Sequence, residues 1–137
     1  MSNDWVKDIQ DMQTKFGTRV AVKRMDKAKR LAFLSFRLKF LQEELDETKS
    51  ALLDGDSEEI VDGLIDLCVV AIGTLDAYGI DAYDAWDEVL DANMAKEVGV
   101  KKGRPNPLGL PDLIKPEGWT APSHKDNHGM LPDFVDD

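Results

Sequence analysis

The first 104 residues contain no proline, and all six prolines of the 137-residue chain fall between Pro105 and Pro132. Proline removes a backbone donor and clashes with the preceding helical turn. Its absence leaves the long N-terminal part open to helix, and its clustering sets the C-terminal part aside. Cysteine occurs once, as Cys68 between Leu67 and Val69. That excludes an intramolecular disulfide and fits a small buried hydrophobe in a reducing compartment. Histidine occurs only at positions 124 and 128, which gives poor support to a zinc site or to a Glu-x-x-His di-iron bundle. No apolar run approaches the roughly 18 residues of a membrane span. The opening Met-Ser-Asn-Asp-Trp lacks the basic start and apolar stretch of a secretory signal, so a cytoplasmic location is expected. Positive charge is the scarce sign: 17 Lys and Arg stand against 27 Asp and Glu, a net charge of −10. That balance opposes binding to polymeric DNA or RNA.

What is present reads as one domain, since this length and 42% hydrophobic content suffice for one modest core. Capping and stop residues predict four helices in the body: about Asp4 to Phe16, ended by Gly17; about Lys27 to Leu53, ended by Asp54-Gly55-Asp56; from the N-cap Ser57 to near Gly79; and about Asp81 to Glu97, closed by Gly99. No segment alternates in the manner of a strand. The fold class is all-α, with a helical body over 1–102. Residues 103–137 form an irregular, Pro-rich extension that wraps the same domain. Turn chemistry runs through it at Arg104-Pro105-Asn106-Pro107, Leu110-Pro111-Asp112 and Lys115-Pro116-Glu117-Gly118-Trp119. Leu108, Leu110, Leu113, Ile114 and Trp119 give it apolar area to pack with, unlike a disordered tail.

The second helix carries two messages. Leu34, Leu38, Leu41, Leu45 and Leu52 fall in one narrow stripe on a helical wheel, the ordinary signal of a core-facing side. Glu43, Glu44 and Glu47 lie on the other side, yet so do Phe33, Phe36 and Phe40, which a purely solvated face would not carry. The third helix is apolar on every side, through Ile60, Val61, Leu64, Ile65, Leu67, Val69, Val70, Ile72 and Leu75, and reads as buried all round. Set into it are Asp62 and Asp66, one turn apart, with Glu59 near the same face. Carboxylates facing apolar surroundings cost several kcal/mol unless paired or metal-bound, on the order of magnitude of buried ions generally.

A loop of only a few residues joins these two helices, so they should pack antiparallel and bring Glu43-Glu44-x-x-Glu47 toward Glu59-x-x-Asp62-x-x-x-Asp66. Hard oxygen donors gathered this way suit Mg²⁺, with Mn²⁺ as a substitute; such ions keep several waters and take substrate phosphates in their open positions. The plainer alternatives are a solvated glutamate face for the first cluster and a capping or salt-bridged pair for the aspartates.

Phe40-Leu41-Gln42-Glu43-Glu44-Leu45-Asp46-Glu47, Glu59-Ile60-Val61-Asp62-Gly63-Leu64-Ile65-Asp66-Leu67 and Asn93-Met94-Ala95-Lys96, in that order after an opening with Asp4-Trp5-Val6 and Lys15-Phe16-Gly17, resemble the MazG-like all-α nucleoside triphosphate pyrophosphohydrolases. These are related to the phosphoribosyl-ATP pyrophosphohydrolases and the all-α dUTPases. The resemblance covers most of the chain. It implies a four- to five-helix bundle assembled as an intertwined dimer or a dimer of dimers. It further implies acidic clusters that hold Mg²⁺ on a triphosphate, and cleavage between the α- and β-phosphates to a nucleoside monophosphate and pyrophosphate. Carried over by position, the first motif falls on Glu43, Glu44 and Glu47. The second matches Glu59-x-x-Asp62 literally, whereas Asp66 has the following apolar run that the family's aspartate usually has.

A free carboxylate such as Glu43 could accept a proton from the attacking water. Asn93 and Lys96, three apart on one helical face, could bond sugar or phosphates, with Lys101, Lys102 and Arg104 as further cationic candidates. Trp5, Ile9, Met12, Gln13 and Phe16, with Phe33, Phe36 or Phe40, could sandwich a base, and Gln13 or Asn93 could read its edge. The segment from Arg104 to His124 resembles the tail of phage-type members, which would place the protein in a host's cytoplasm and favours a purine deoxynucleotide such as dGTP. Two other readings compete: a non-catalytic acidic protein that mimics DNA, and hydrolysis of phosphoribosyl-ATP.

Overall fold

A computed structural model of the chain describes residues 2–101, 103, 108–109 and 112–132. Among them the elements run α1 (Trp5–Phe16), α2 (Thr18–Lys23), α3 (Lys27–Leu53), α4 (Ser57–Ala77), α5 (Ala82–Met94), β1 (Glu97–Gly99) and β2 (Asp112–Ile114). The helical, all-α reading is confirmed. Two elements were not foreseen, α2 and the short antiparallel ladder β1–β2, in which Glu97 pairs with Ile114 and Gly99 with Asp112.

Helix ends follow local chemistry. The Asp4 carboxylate accepts from the Lys7 amide, and Gly17, in the left-handed region, closes α1. The Asp26 carboxylate accepts from the Lys29 amide at the start of α3. Asp56, and not the expected Ser57, caps α4 by accepting from the Glu59 amide. The fourth predicted helix is shorter than expected: α5 stops at Met94, and after Ala95 and Lys96 the residues Glu97–Gly99 form β1.

Two compact units divide the chain, the described residues of Met1–Ala82 with Asp126–Asp137, and Tyr83–Lys125. In the first, α4 is central, packing mainly on α3 and also on α1 and α2. Its core gathers Val22, Ala77, Tyr78 and Ile80, with Met25, Phe33, Leu34, Leu75, Met130 and Leu131 against it. The Tyr78 ring stacks on Phe33 and its hydroxyl donates to the Arg30 carbonyl. Arg30 in turn donates to the Val22 and Lys23 carbonyls at the end of α2, and Arg19 pairs with the buried Asp76. The chain returns to this core when the Met130 amide donates to the Tyr78 carbonyl over 2.7 Å.

Two expectations about burial fail within the single chain. Leu38 and Leu52 of the α3 stripe are 56% and 68% exposed, and on α4 Val61 and Leu64 are 64% and 52% exposed. The hydrophobic pattern is real, but α3 and α4 cover each other on other sides and leave these apolar faces open.

In the second unit, α5 carries the ladder and the segment after it. The Trp119 indole donates to the Ala92 carbonyl over 2.7 Å, and the Ser123 amide donates to the Glu88 carboxylate. Within this unit Trp119 and Ile114 are half-buried, whereas Leu108 and Leu113 are exposed; Leu110 lies outside the described residues.

Candidate active site

Register between α3 and α4 is fixed at two points. A Cβ on Gly63 would overlap the Thr48 hydroxyl and stand 3.2 Å from the Thr48 Cβ, so only glycine lets the helices approach this closely there. The Thr48 hydroxyl itself donates to the Glu44 carbonyl over 2.8 Å. Further along, Arg37 donates to the Thr74 hydroxyl and the Val70 carbonyl, both over 2.9 Å. Numbers rise on one helix as they fall on the other, which is the antiparallel pairing expected. By this register Glu44 is level with the turn of Asp66, and Glu47 lies between the levels of Asp62 and Asp66. Glu59 is level with Leu52, nearer the connecting turn.

The charges agree with the register. Partial desolvation, then the charges of Asp66, Glu47, Asp62 and Glu43 in that order, hold the Glu44 carboxyl above its ordinary value. Among the described residues no lysine or arginine forms an ion pair with any of these carboxylates. Five of the six acidic candidates therefore share one electrostatic neighbourhood across two helices. Glu44 and Asp66 are half-buried; Glu43, Glu47, Glu59 and Asp62 are exposed. The expected enclosure of both aspartates by apolar side chains is thus corrected for Asp62, because α4 is covered on only part of its circumference and Asp62 faces the open part.

Among the described residues no three carboxylate, imidazole or thiol groups already converge on one point as a finished coordination set. The donor chemistry nonetheless fits a hard divalent cation. All contributors are carboxylates, none of them is in an ion pair among the described residues, and Mg²⁺ is commonly held by only one or two carboxylates while keeping its waters.

In the same unit a cavity of about 200 Å³ is lined by Trp5, Asp8 and Ile9 of α1 and by Ile65, Cys68, Val69 and Ile72 of α4, and by none of the six acidic candidates. Trp5 and Ile9, two of the expected base-binding residues, thus face an apolar slot whose α4 wall begins next to Asp66. Gln13 is placed differently: it is buried, and its amide nitrogen donates to the Gly73 carbonyl over 2.9 Å. Of the phenylalanines, Phe33 stacks in the core, Phe40 lies under the Arg37 guanidinium at 5.8 Å, and Phe36 is exposed. Met12 and Phe16 are exposed. Asn93 and Lys96 belong to the second unit, Asn93 exposed and Lys96 with its ammonium 5.6 Å from the Trp119 ring centre. Lys101 is half-buried, and Lys102 and Arg104 lie outside the described residues.

Reading the sequence missed Gly63, Thr48 and Arg37 as organisers of the helix pair. The only signal was a glycine inside an acidic, otherwise apolar helix, which costs about 1 kcal/mol relative to alanine and so needs a packing reason.

By the family it matches, this all-α chain with two facing acidic helices is a pyrophosphohydrolase, a hydrolase of acid anhydrides. The chain belongs to the phosphoribosyl-ATP pyrophosphohydrolase family, whose model matches residues 9–93, a span that includes every carboxylate of the site. That family lies within the MazG-like all-α NTP pyrophosphohydrolase superfamily. No curated protein and no solved structure matches the chain significantly. Membership in a family of enzymes sets aside the non-catalytic DNA mimic. Among the described residues no helix is long and apolar enough to cross a membrane.

Proposed function

We propose that the protein is a Mg²⁺-dependent nucleoside triphosphate pyrophosphohydrolase that cleaves (d)NTPs between the α- and β-phosphates to (d)NMP and pyrophosphate. The observation that carries this reading is the antiparallel register of α3 and α4, which brings Glu43, Glu44 and Glu47 level with Asp62 and Asp66, with no ion pair to any of them among the described residues. Glu44, Glu47, Asp62 and Asp66 hold the cation; when bound, Mg²⁺ neutralises charge on the phosphate oxygens and makes a nearby water more acidic. Glu43, exposed at the edge of the cluster, takes the proton of the attacking water. The slot of Trp5 and Ile9 takes the base by stacking and apolar contact. A purine deoxynucleotide such as dGTP is the preferred substrate on the resemblance of the tail to phage-type members.

The uncovered apolar faces of α3 and α4, with Leu38, Leu52, Val61 and Leu64 exposed, are covered by a second copy of the chain, giving a homodimer or a dimer of dimers. The enzyme works in the cytoplasm. A second reading, hydrolysis of phosphoribosyl-ATP, is favoured by the description of the matching family.

The test is pyrophosphate release from the eight common NTPs and dNTPs and from phosphoribosyl-ATP, with Mg²⁺, with Mn²⁺ and with EDTA. Metal-dependent release from a dNTP at a higher kcat/KM than from phosphoribosyl-ATP supports the proposal. Release from phosphoribosyl-ATP alone supports the second reading, and release undiminished by EDTA overturns the role given to the carboxylates.

A further inference from the structure

The second unit contains an arrangement that the family match, ending at residue 93, does not reach. The β1–β2 ladder pairs Glu97 with Ile114 and Val98 with Leu113. Continuing that register by one residue places Lys96 directly across from Lys115. Like charges facing each other across a ladder destabilise it, yet both ammonium groups turn to the same aromatic ring: Lys96 lies 5.6 Å and Lys115 lies 5.0 Å from the centre of Trp119. The ring is itself tethered, its indole donating to the Ala92 carbonyl over 2.7 Å. Among the described residues neither lysine forms an ion pair; the two pairs recorded there are Lys7–Asp11 and Arg19–Asp76.

Cation–π attraction positions the two charges, but it neutralises neither. An ammonium keeps three donors, and an aromatic face occupies at most one direction around it. Two such groups gathered on one rigid plate, in a chain that is strongly acidic overall, are complementary to an oxyanion that presents several oxygens at once. A carboxylate from α5 is the obvious competitor. Glu88 and Asp91 line, with Glu117 and Trp119, a cavity of about 430 Å³ in this unit. Glu88, however, already accepts from the Ser123 amide, and none of the three reaches either lysine within ion-pairing distance among the described contacts.

We infer that Lys96, Lys115 and Trp119 form an anion site that takes a phosphate-bearing group, with Lys115 and Trp119 as binding residues contributed by the tail. The ligand class is a condensed phosphate, either the β,γ-phosphates of a nucleotide or free pyrophosphate. The choice of ligand rests on the proposed hydrolase reading, whose substrate and product are condensed phosphates, but the site lies wholly in the second unit and binds without a divalent metal, so the two stand or fall separately.

The probe is inorganic pyrophosphate, titrated into the ¹⁵N-labelled full chain in EDTA, where a cluster of carboxylates has no means of holding a phosphate. The Trp119 indole N–H resonance should shift saturably, with inorganic phosphate binding more weakly. Lys115→Met should weaken pyrophosphate roughly tenfold, since charge-assisted bonds are the stronger class, while Lys115→Arg retains it. If pyrophosphate serves as a free product ligand, a nucleoside triphosphate in EDTA leaves the indole unmoved; if the site holds substrate phosphates, the triphosphate moves it too. Either result supports the site. An indole resonance unmoved by both ligands at millimolar concentration, or a Lys115→Met protein of native helicity that binds pyrophosphate as tightly as the parent, overturns it. Metal-dependent pyrophosphate release measured on the same samples reports separately on the hydrolase proposal.

Discussion

Replacing Gly63 by alanine should separate catalysis from stability. The added Cβ would overlap the Thr48 hydroxyl and lie 3.2 Å from the Thr48 Cβ and 3.6 Å from its Cα. Thr48 cannot rotate away freely, because its hydroxyl donates to the Glu44 carbonyl and a β-branched residue in a helix has few χ1 choices. The helices must therefore part by a fraction of an ångström. Overpacking of this kind costs about 1–3 kcal/mol, offset by about 1 kcal/mol because alanine is the better helix former. The net loss is about 0–2 kcal/mol, and the protein should still fold, with a slightly lower Tm. Activity should fall much further. Gly63 adjoins Asp62, Thr48 adjoins Glu47, and a displacement near 1 Å at a catalytic site can cost about 10²-fold. The assay is kcat/KM for pyrophosphate release beside a thermal melt. Adding Thr48→Ala, which removes the overlapped hydroxyl, should restore most of the lost rate, a coupling that a double-mutant cycle measures directly. Gly63→Ala within twofold of the parent, or a double mutant as slow as the single one, would refute the close approach as the determinant of the site.

Glu44→Gln should abolish pyrophosphate release yet stabilise the metal-free protein. Because the folded pKa of Glu44 is raised by desolvation and by Asp66, Glu47, Asp62 and Glu43, its ionisation opposes folding. Metal-free stability should fall as pH rises from the ordinary carboxylate range through the raised value. Mg²⁺ and the glutamine variant should each flatten that decline in pH-dependent melts. Trp5→Ala should raise KM about 5- to 150-fold with a smaller change in kcat, the range expected for losing one stacking contact of about 1–3 kcal/mol; an unchanged KM would remove Trp5 from the base slot. Leu64→Glu, on the uncovered face of α4, should convert a sedimenting dimer to monomer, and a parent chain that sediments as a monomer at micromolar concentration would contradict the second-copy proposal.

The long helices were legible because their ends are written in local chemistry. Lys27–Leu53 matches the predicted span, bounded by a capping aspartate and by Asp54-Gly55-Asp56. The six residues of α2 are too short for a helical period to show, and half of them, Thr18, Val20 and Val22, are β-branched and weak helix formers. The three-residue strands offer too little alternation to read, and their pairing joins residues separated by the length of the intervening loop. Apolar patterning predicted burial for Leu38, Val61 and Leu64, but a pattern cannot say whether the covering surface lies in the same chain. Gln13 shows the converse. On the sequence it is a polar residue on an amphipathic helix; in the fold it is buried against Gly73, whose missing side chain admits both it and Arg37. The approach of the two acidic motifs was legible because they lie on adjacent helices with a short connection, so two local patterns fixed a tertiary proximity.

Binding of Mn²⁺, followed by the loss of its free-ion EPR signal, tests the central claim most directly, because it asks which carboxylates act together without requiring turnover. Asp66→Asn and Glu44→Gln should each weaken Mn²⁺ by tenfold or more, since each removes one of the two half-buried acids where the helices meet, while Glu59→Gln, level with Leu52 nearer the connecting turn, should bind as the parent does. Mn²⁺ held equally well by Asp66→Asn, or lost with Glu59→Gln instead, would contradict a cation site built between α3 and α4.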